Sequence, residues 1–216
     1  MSTFITVLAI IYSIEHLPEP KSPKGFLALI LVLETGMNGT FVALDLILFF
    51  VFFEIVLLPM YFMIGIWGDK TVRTVAGFKN QIETRLYASI KFFVFTLFGS
   101  AFMLLGFLGL YYRGNRTFSI PELIELGTNG AFTGTFAMLV FAVLFLGFAV
   151  KVPMWPLHTW LPDAHTAAPT VGSVLLAAIL LKLGSYGFVR IAIPILPEQA
   201  KAWAPAIAIL SAIGII

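Results

Sequence analysis

The sequence contains no cysteine and few charges, with only 11% of its 216 residues being Asp, Glu, Lys or Arg. Without cysteine there can be no disulfide, no cysteine-ligated iron–sulfur cluster and no Cys-rich structural zinc site. Any redox chemistry therefore belongs to other chains. The formal net charge is +2, and the basic residues lie between apolar runs instead of gathering in one patch, which argues against a nucleic-acid partner. Signal-peptide features are also missing. The first apolar run, residues 4–14, has no basic stretch before it and no small-residue cleavage site after it, and is read as a helix cut short. Neither a repeat of roughly 20–50 residues nor a low-complexity linker divides the chain. Residues 1–216 are expected to form one domain, with a core at about 26–193.

Apolar residues are abundant: they make up 60% of the chain, and the mean hydropathy is +1.00. Lipid is the expected solvent. A hydrocarbon layer of about 30 Å needs roughly 20 apolar residues per helix, and several windows are that long. Backbone polar groups have no water partner in hydrocarbon, so only helices or closed barrels can span it, and these runs are too long and unbroken for tilted strands. The expected fold is an all-α polytopic transmembrane helix bundle. Helices are predicted near 4–15, 26–43, 45–67, 91–112, 132–151 (continuing in broken form to about 165), 170–193 and 203–216.

Charge orients these spans. The connection 68–90 carries Lys70, Arg73, Lys79 and Arg85, and the connection 16–25 carries Lys21 and Lys24. By the positive-inside rule both are cytoplasmic. Alternation then puts the turn at 43–45 and the segment 113–131 outside, and the link at 166–169 inside. Within 113–131, Ser119, Ile120, Pro121 and Glu122 read as the capped start of a short surface helix. Trp67, Tyr111 and Tyr112 fall at helix ends, where aromatic belts lie. The chain stops inside an apolar run with no polar flank, as a truncated reading frame would.

Ionisable residues at mid-membrane depth are costly, about 2.5–3.5 kcal/mol on insertion scales, and are functional candidates by default. Glu54 lies nine residues after Asp45 in an aromatic run, near mid-depth at about 1.5 Å per residue. The alternative is a carboxyl kept neutral by a nearby hydroxyl. Lys151 closes a stretch, Leu126 to Val150, that holds no Asp, Glu, Lys or Arg, and Pro153, Pro156 and Pro162 follow it. Each proline removes a backbone donor and displaces the carbonyl four residues back, so the helix must break there and leave bare carbonyls and room for water. Broken helices are where transporters hold ions. The alternative is a lysine snorkelling at a helix end. Lys182 follows Thr170 by twelve residues, again near mid-depth.

His158 and His165 lie on either side of Pro162 and Asp163. They can relay protons between solvent and Lys151, because imidazole titrates near neutral pH. A structural role is the plainer alternative, and a zinc site would have only Asp163 as an added nearby ligand. Two further candidates are Lys91, read as opening its helix beside a basic flank, and Glu34, which Thr35, Asn38 and Thr40 could satisfy locally. A lysine titrates at neutral pH only where burial and nearby cations weaken its hold on the proton by roughly 4 kcal/mol. A carboxylate such as Glu54 opposes that, so moving or neutralising Glu54 would make Lys151 release its proton.

Residues 44–61 and 149–173, the second with its Lys151, Pro153, Pro156, His158, Pro162, Asp163 and His165, resemble the antiporter-like subunits of respiratory complex I. The stretch 178–190, with Lys182 in it, is more similar to the M-type chains than to their L and N paralogues. The resemblance implies the complex I/Mrp antiporter-like fold, of which this chain would hold one five-helix repeat out of two inverted ones, from the end of the third helix to the start of the ninth. It implies a proton-translocating subunit of NADH:quinone oxidoreductase in a bacterial cytoplasmic membrane. Glu54 would match the fifth-helix glutamate, Lys151 the lysine at the broken seventh helix, Lys182 the eighth-helix lysine, and His158 and His165 the broken-helix histidines. The family's twelfth-helix exit residue has no counterpart, so this chain should not pump alone.

NADH, FMN, iron–sulfur clusters and quinone are implied for the whole complex and none for this chain. Neighbouring antiporter-like subunits and lipid are the implied partners. The runner-up is a subunit of a multisubunit Na+/H+ antiporter, which shares the broken-helix motif and the buried Glu–Lys pair. A third reading, a membrane anchor with no transport role, requires that the buried charges can be neutralised without effect.

Overall fold

The computed structural model describes residues 1–74 and 81–215; Lys79, counted above in the basic connection, lies outside the described residues. In chain order the elements are α1 (Ser2–Glu15), α2 (Pro23–Val42), α3 (Leu46–Ile55), α4 (Leu57–Trp67), β1 (Val72–Arg73), β2 (Ile82–Glu83), α5 (Thr84–Arg113), α6 (Ile120–Thr128), α7 (Gly134–Lys151), α8 (Trp160–Ala167), α9 (Thr170–Leu175), α10 (Leu181–Gly187), α11 (Ile193–Ile195) and α12 (Pro197–Ile215). Two π-helical turns, Leu176–Leu180 and Phe188–Ala192, join α9, α10 and α11 into one path. Among the described residues five paths are long and apolar enough to cross a membrane: Pro23–Val42, Leu46–Trp67, Thr84–Arg113, Gly134–Lys151 and Thr170–Ile195. The chain is an all-α polytopic membrane bundle, apart, among the described residues, from one two-residue antiparallel strand pair, β1 with β2, which was not predicted.

Local chemistry explains the boundaries. Asp45 caps α3, its side chain accepting from the backbone N–H of Ile47 at 2.9 Å and Leu48 at 3.0 Å. Pro59 has no N–H to give to the carbonyl of Ile55 four residues earlier, and the helix is interrupted at Val56, between α3 and α4. At α6 the expected helix forms, but Ser119 at its N-cap makes no side-chain cap bond. α5 begins at Thr84, seven residues before the predicted start, because its first two turns mix polar Thr84, Arg85 and Ser89 among apolar residues and so fall outside an unbroken apolar run. Lys91 is therefore in the third turn of its helix and does not open it. α12 likewise starts early, at Pro197, a residue suited to a first helical position.

The two ends of the bundle are tied by different loops. At one end the indole of Trp67 donates to the Pro20 carbonyl at 2.8 Å, and the N–H of Asp69 to the Ala167 carbonyl at 2.8 Å. The connections before α2, after α4 and before α9 thus share that end. At the other end Leu46 N–H reaches the Phe118 carbonyl at 2.9 Å, and Ile120 N–H reaches Leu44 at 2.8 Å. Gly127 of α6 sits there against the backbone of Ile195, where an added Cβ would run into its carbonyl oxygen. This is the alternation that the charge reading required.

The core is aromatic and crosses several helices. Phe49 of α3 has Phe53, Phe107 of α5, Phe148 of α7 and Tyr186 of α10 at ring-centroid distances of 5.7, 6.1, 6.3 and 6.4 Å. Lipid tails supply no hydrophobic drive for helix pairing, so close backbone approach through small residues matters more here than in water. α5 and α7 use it: a Cβ on Gly99 would meet Val150 Cβ at 2.8 Å, and one on Gly147 would meet Met103 Cβ at 2.8 Å. Large apolar side chains such as Val51, Leu58, Leu97, Phe98, Leu105 and Leu139 remain exposed on the outside, as a lipid-facing surface requires.

Candidate functional site

Lys151 is the last residue of α7 and is 2% exposed. Its ammonium lies 5.0 Å from the ring centre of Phe53 and 5.9 Å from that of Phe92. Aromatic faces attract a desolvated cation by about 2 kcal/mol, less than a hydrogen-bonded partner provides. Among the described residues no hydrogen bond reaches this ammonium. The charge it senses is Glu54, half-buried in the last turn of α3, and the two interact electrostatically without forming a direct ion pair. Ser100 of α5 has its hydroxyl beside the Glu54 carboxyl and also within 3.0 Å of the Leu97 carbonyl.

Residues 152–159 contain Pro153 and Pro156 and form no helix. The carbonyl of Val150, which in a continuous helix would accept from the N–H of Met154, loses it because Met154 bonds Ala149 at 2.9 Å. The indole of Trp160 takes the vacant place, donating to Val150 at 3.0 Å. Helical structure resumes in α8. Pro162, expected at the break, is instead in the first turn of α8, where its missing N–H leaves no helical carbonyl unpaired.

His158 is half-buried in the broken segment, and its buried Nδ1 has no hydrogen-bond partner among the described residues. His165 is half-buried on α8, and burial pushes its pKa down, favouring the neutral imidazole. Among the described residues neither histidine hydrogen-bonds Lys151 or Glu54. Asp163, weighed above as a zinc ligand, is turned toward two cations: Arg73 Nη2 and Lys91 Nζ each lie 2.8 Å from one of its oxygens. Lys91 is thus paired, not snorkelling. Sequence reasoning missed this cluster, although a lone acid on the broken helix and a basic connection at the same end of the bundle were both visible.

Lys182 is not brought to Lys151. The two helices cross at Gly184, where an added Cβ would stand 3.0 Å from Lys151 Cβ. Lys182, two residues earlier and about 200° around the helix, faces outward, and its ammonium donates to the Ala177 carbonyl in the first π-helical turn at 2.7 Å. Glu34 is half-buried on α2. The local satisfaction expected for it is not made: Thr35 and Thr40 bond the carbonyls of Leu31 and Gly36, and Asn38 accepts from Ser2.

Residues 43–216 match a family model described as NADH:quinone oxidoreductase/Mrp antiporter, TM. NADH-quinone oxidoreductase subunit M of Rhodobacter capsulatus is 45% identical over 202 residues, covering 89% of this chain and 37% of that protein. The subunit M of Rickettsia bellii is 41% identical over 220 residues, covering all of this chain and 40% of that one. Among solved structures, a chain of respiratory complex I from Thermus thermophilus with bound NADH superposes with a TM-score of 0.75 at 34% identity, covering 87% of this chain and 37% of that chain. The sequence spans well under half the length of the curated relatives it matches.

Proposed function

Because the chain belongs to the NADH:quinone oxidoreductase/Mrp antiporter membrane family, we propose that it is the first proton-conducting repeat of an M-type subunit of NADH:quinone oxidoreductase, a single domain over 1–216 with its core at about 26–193. The observation that carries this reading is Lys151: a buried lysine at a helix break, with aromatic rings around it and Glu54 as its electrostatic partner. A buried charge without a hydrogen-bonded partner is too costly to keep for stability alone.

Protons enter from the end bearing the 68–74 loop, pass His165 and His158, and reach Lys151 through side chains and water in the segment 152–159. Glu54 stabilises the ammonium by Coulomb attraction. When Glu54 is displaced or neutralised that attraction goes, and Lys151 releases its proton toward Lys182. Lys182 then offers it to whatever packs on the outer face of its helix. The driving chemistry lies elsewhere: with no cysteine, this chain is unfit to ligate an iron–sulfur cluster through thiolates, and NADH, FMN, clusters and quinone belong to other subunits. Neighbouring antiporter-like chains and lipid of a bacterial cytoplasmic membrane are the partners.

The test is Glu54→Gln and Lys151→Ala in the full-length subunit of an assembled, reconstituted complex, read as protons moved per electron. Both variants should lose most pumping while the complex still assembles. Unchanged stoichiometry in both sinks the reading. The Mrp-type alternative is kept by the family description itself, and predicts sodium-dependent proton movement without quinone reductase partners.

A further inference from the structure

Asp163 is one carboxylate shared by two cations from distant parts of the chain. Oδ1 accepts from Arg73 of β1 and Oδ2 from Lys91 of α5, both at 2.8 Å. Tyr87 of α5 lies against both cations, its ring centre 4.7 Å from Arg73 Cζ and 5.6 Å from Lys91 Nζ. Burial by itself would raise the Asp163 pKa, but the bonds and charges of Lys91 and Arg73 outweigh it and hold the carboxyl below its usual range.

This cluster sits on a short element. α8 has eight residues, with the non-helical segment 152–159 before it and a two-residue turn after it. Its buried face is one large anchor and two small residues: Trp160, fully buried, bonded to Val150 and 5.4 Å from the ring of Phe92, with Ala164 and Ala167 buried beside it. Two alanine methyl groups beside one indole set which face of a short helix is buried but grip its rotation only lightly. Asp163, about one turn further along, supplies a polar fixed point, and its partner Lys91 is on the helix that carries Phe92 and Ser100. His165 follows Asp163 by two residues, and His158 precedes Trp160 by two.

We propose that Asp163 is a positioning residue of the proton path, a latch that through Lys91 and Arg73 fixes the rotation of α8 and so the stations of His158 and His165 relative to Lys151. This rests on the function proposed above. The latch itself carries no proton; it keeps two imidazoles within relay distance across a stretch of chain that has no helical bonds to hold it.

The experiment is a double-mutant cycle in the full-length subunit within the assembled, reconstituted complex: Asp163→Asn, Lys91→Gln and both together, with Asp163→Glu, Glu54→Gln and Lys151→Ala alongside. Protons per electron and the complex's unfolding temperature are read for each. Asp163→Asn should lower the stoichiometry at least twofold in a complex that still assembles with a somewhat lower unfolding temperature, Asp163→Glu should recover most of the pumping, and the double variant should be no worse than Asp163→Asn alone, since paired residues are non-additive. Normal pumping by Asp163→Asn, a loss that Asp163→Glu does not relieve, or additive losses overturn the latch. If Asp163→Asn fails to assemble, Lys91→Gln decides alone, and normal pumping there is fatal. Loss of pumping in Glu54→Gln and Lys151→Ala with a normal Asp163→Asn rejects the latch but keeps the path; normal pumping in all of them rejects the path itself.

Discussion

Gly184 of α10 lies so close to Lys151 that an added Cβ would stand 3.0 Å from the lysine's own Cβ, 3.0 Å from the Phe148 carbonyl and 2.8 Å from Val152 Cγ2. Backbone and a β-branched side chain cannot yield as the tip of a flexible side chain can. Gly184→Val should therefore push α7 and α10 apart at the base of Lys151, at a cost of about 1–3 kcal/mol for overpacking. A lower unfolding temperature together with reduced proton pumping is expected. A variant that matches the parent in both would mean that the crossing is looser than described.

Sidedness follows from the loop pairings. Asp69 N–H bonds the Ala167 carbonyl, so Thr71 and Thr166 lie at one end of the bundle and Thr117 at the other. Cysteines introduced at Thr71 and Thr166 should react with an impermeant maleimide from the cytoplasmic face, and a cysteine at Thr117 only from the opposite face. Labelling of all three from one side would overturn the topology.

Much of this fold was legible in the sequence, and the reason is physical. Span number follows from run length against a fixed hydrocarbon thickness, and the end of α7 at Lys151 follows from Pro153 and Pro156. The start of α5 was misplaced because apolar run length does not see turns that mix polar and apolar residues, such as those holding Arg85 and Tyr87. Pro59 marked the interruption at Val56 and could have been used. Asp163 could not have been paired from sequence, since its partners lie 72 and 90 residues away and only the folded chain brings them together. The outward direction of Lys182 was hidden as well, because the helix leading to it contains a π-helical turn.

Lys182 is exposed, and among the described residues its ammonium is bonded only to the Ala177 carbonyl, at 2.7 Å. Lys182→Ala should accordingly leave assembly and unfolding temperature near the parent values while lowering protons per electron severalfold. Full pumping in an assembled Lys182→Ala complex would remove this residue from the path.

Acid should undo the Asp163 cluster late. Its folded pKa is below the ordinary carboxylate value of about 3.9, so the stability it adds is complete above that value and is lost only as pH falls through the folded pKa. The difference in unfolding temperature between the parent and Asp163→Ala should stay constant from about pH 5 to 8 and shrink below about pH 4. A difference that already fades near pH 6 would mean that the carboxyl is not held by its two cations.

The two π-helical turns at Leu176–Leu180 and Phe188–Ala192 also change how this span must be counted. Each inserts about one residue beyond the α-helical count, which advances every later side chain by roughly 100° around the axis. A single helical wheel drawn from Thr170 to Ile195 would put Arg190 and Ile193 on the wrong faces, by one insertion and by two. Cross-links or spin labels across this span therefore need three separate phases, one per α-helical piece. A single-residue deletion within either π-helical turn should act as a rotation of everything beyond it, leaving the span's composition almost unchanged while it turns a different set of side chains toward lipid.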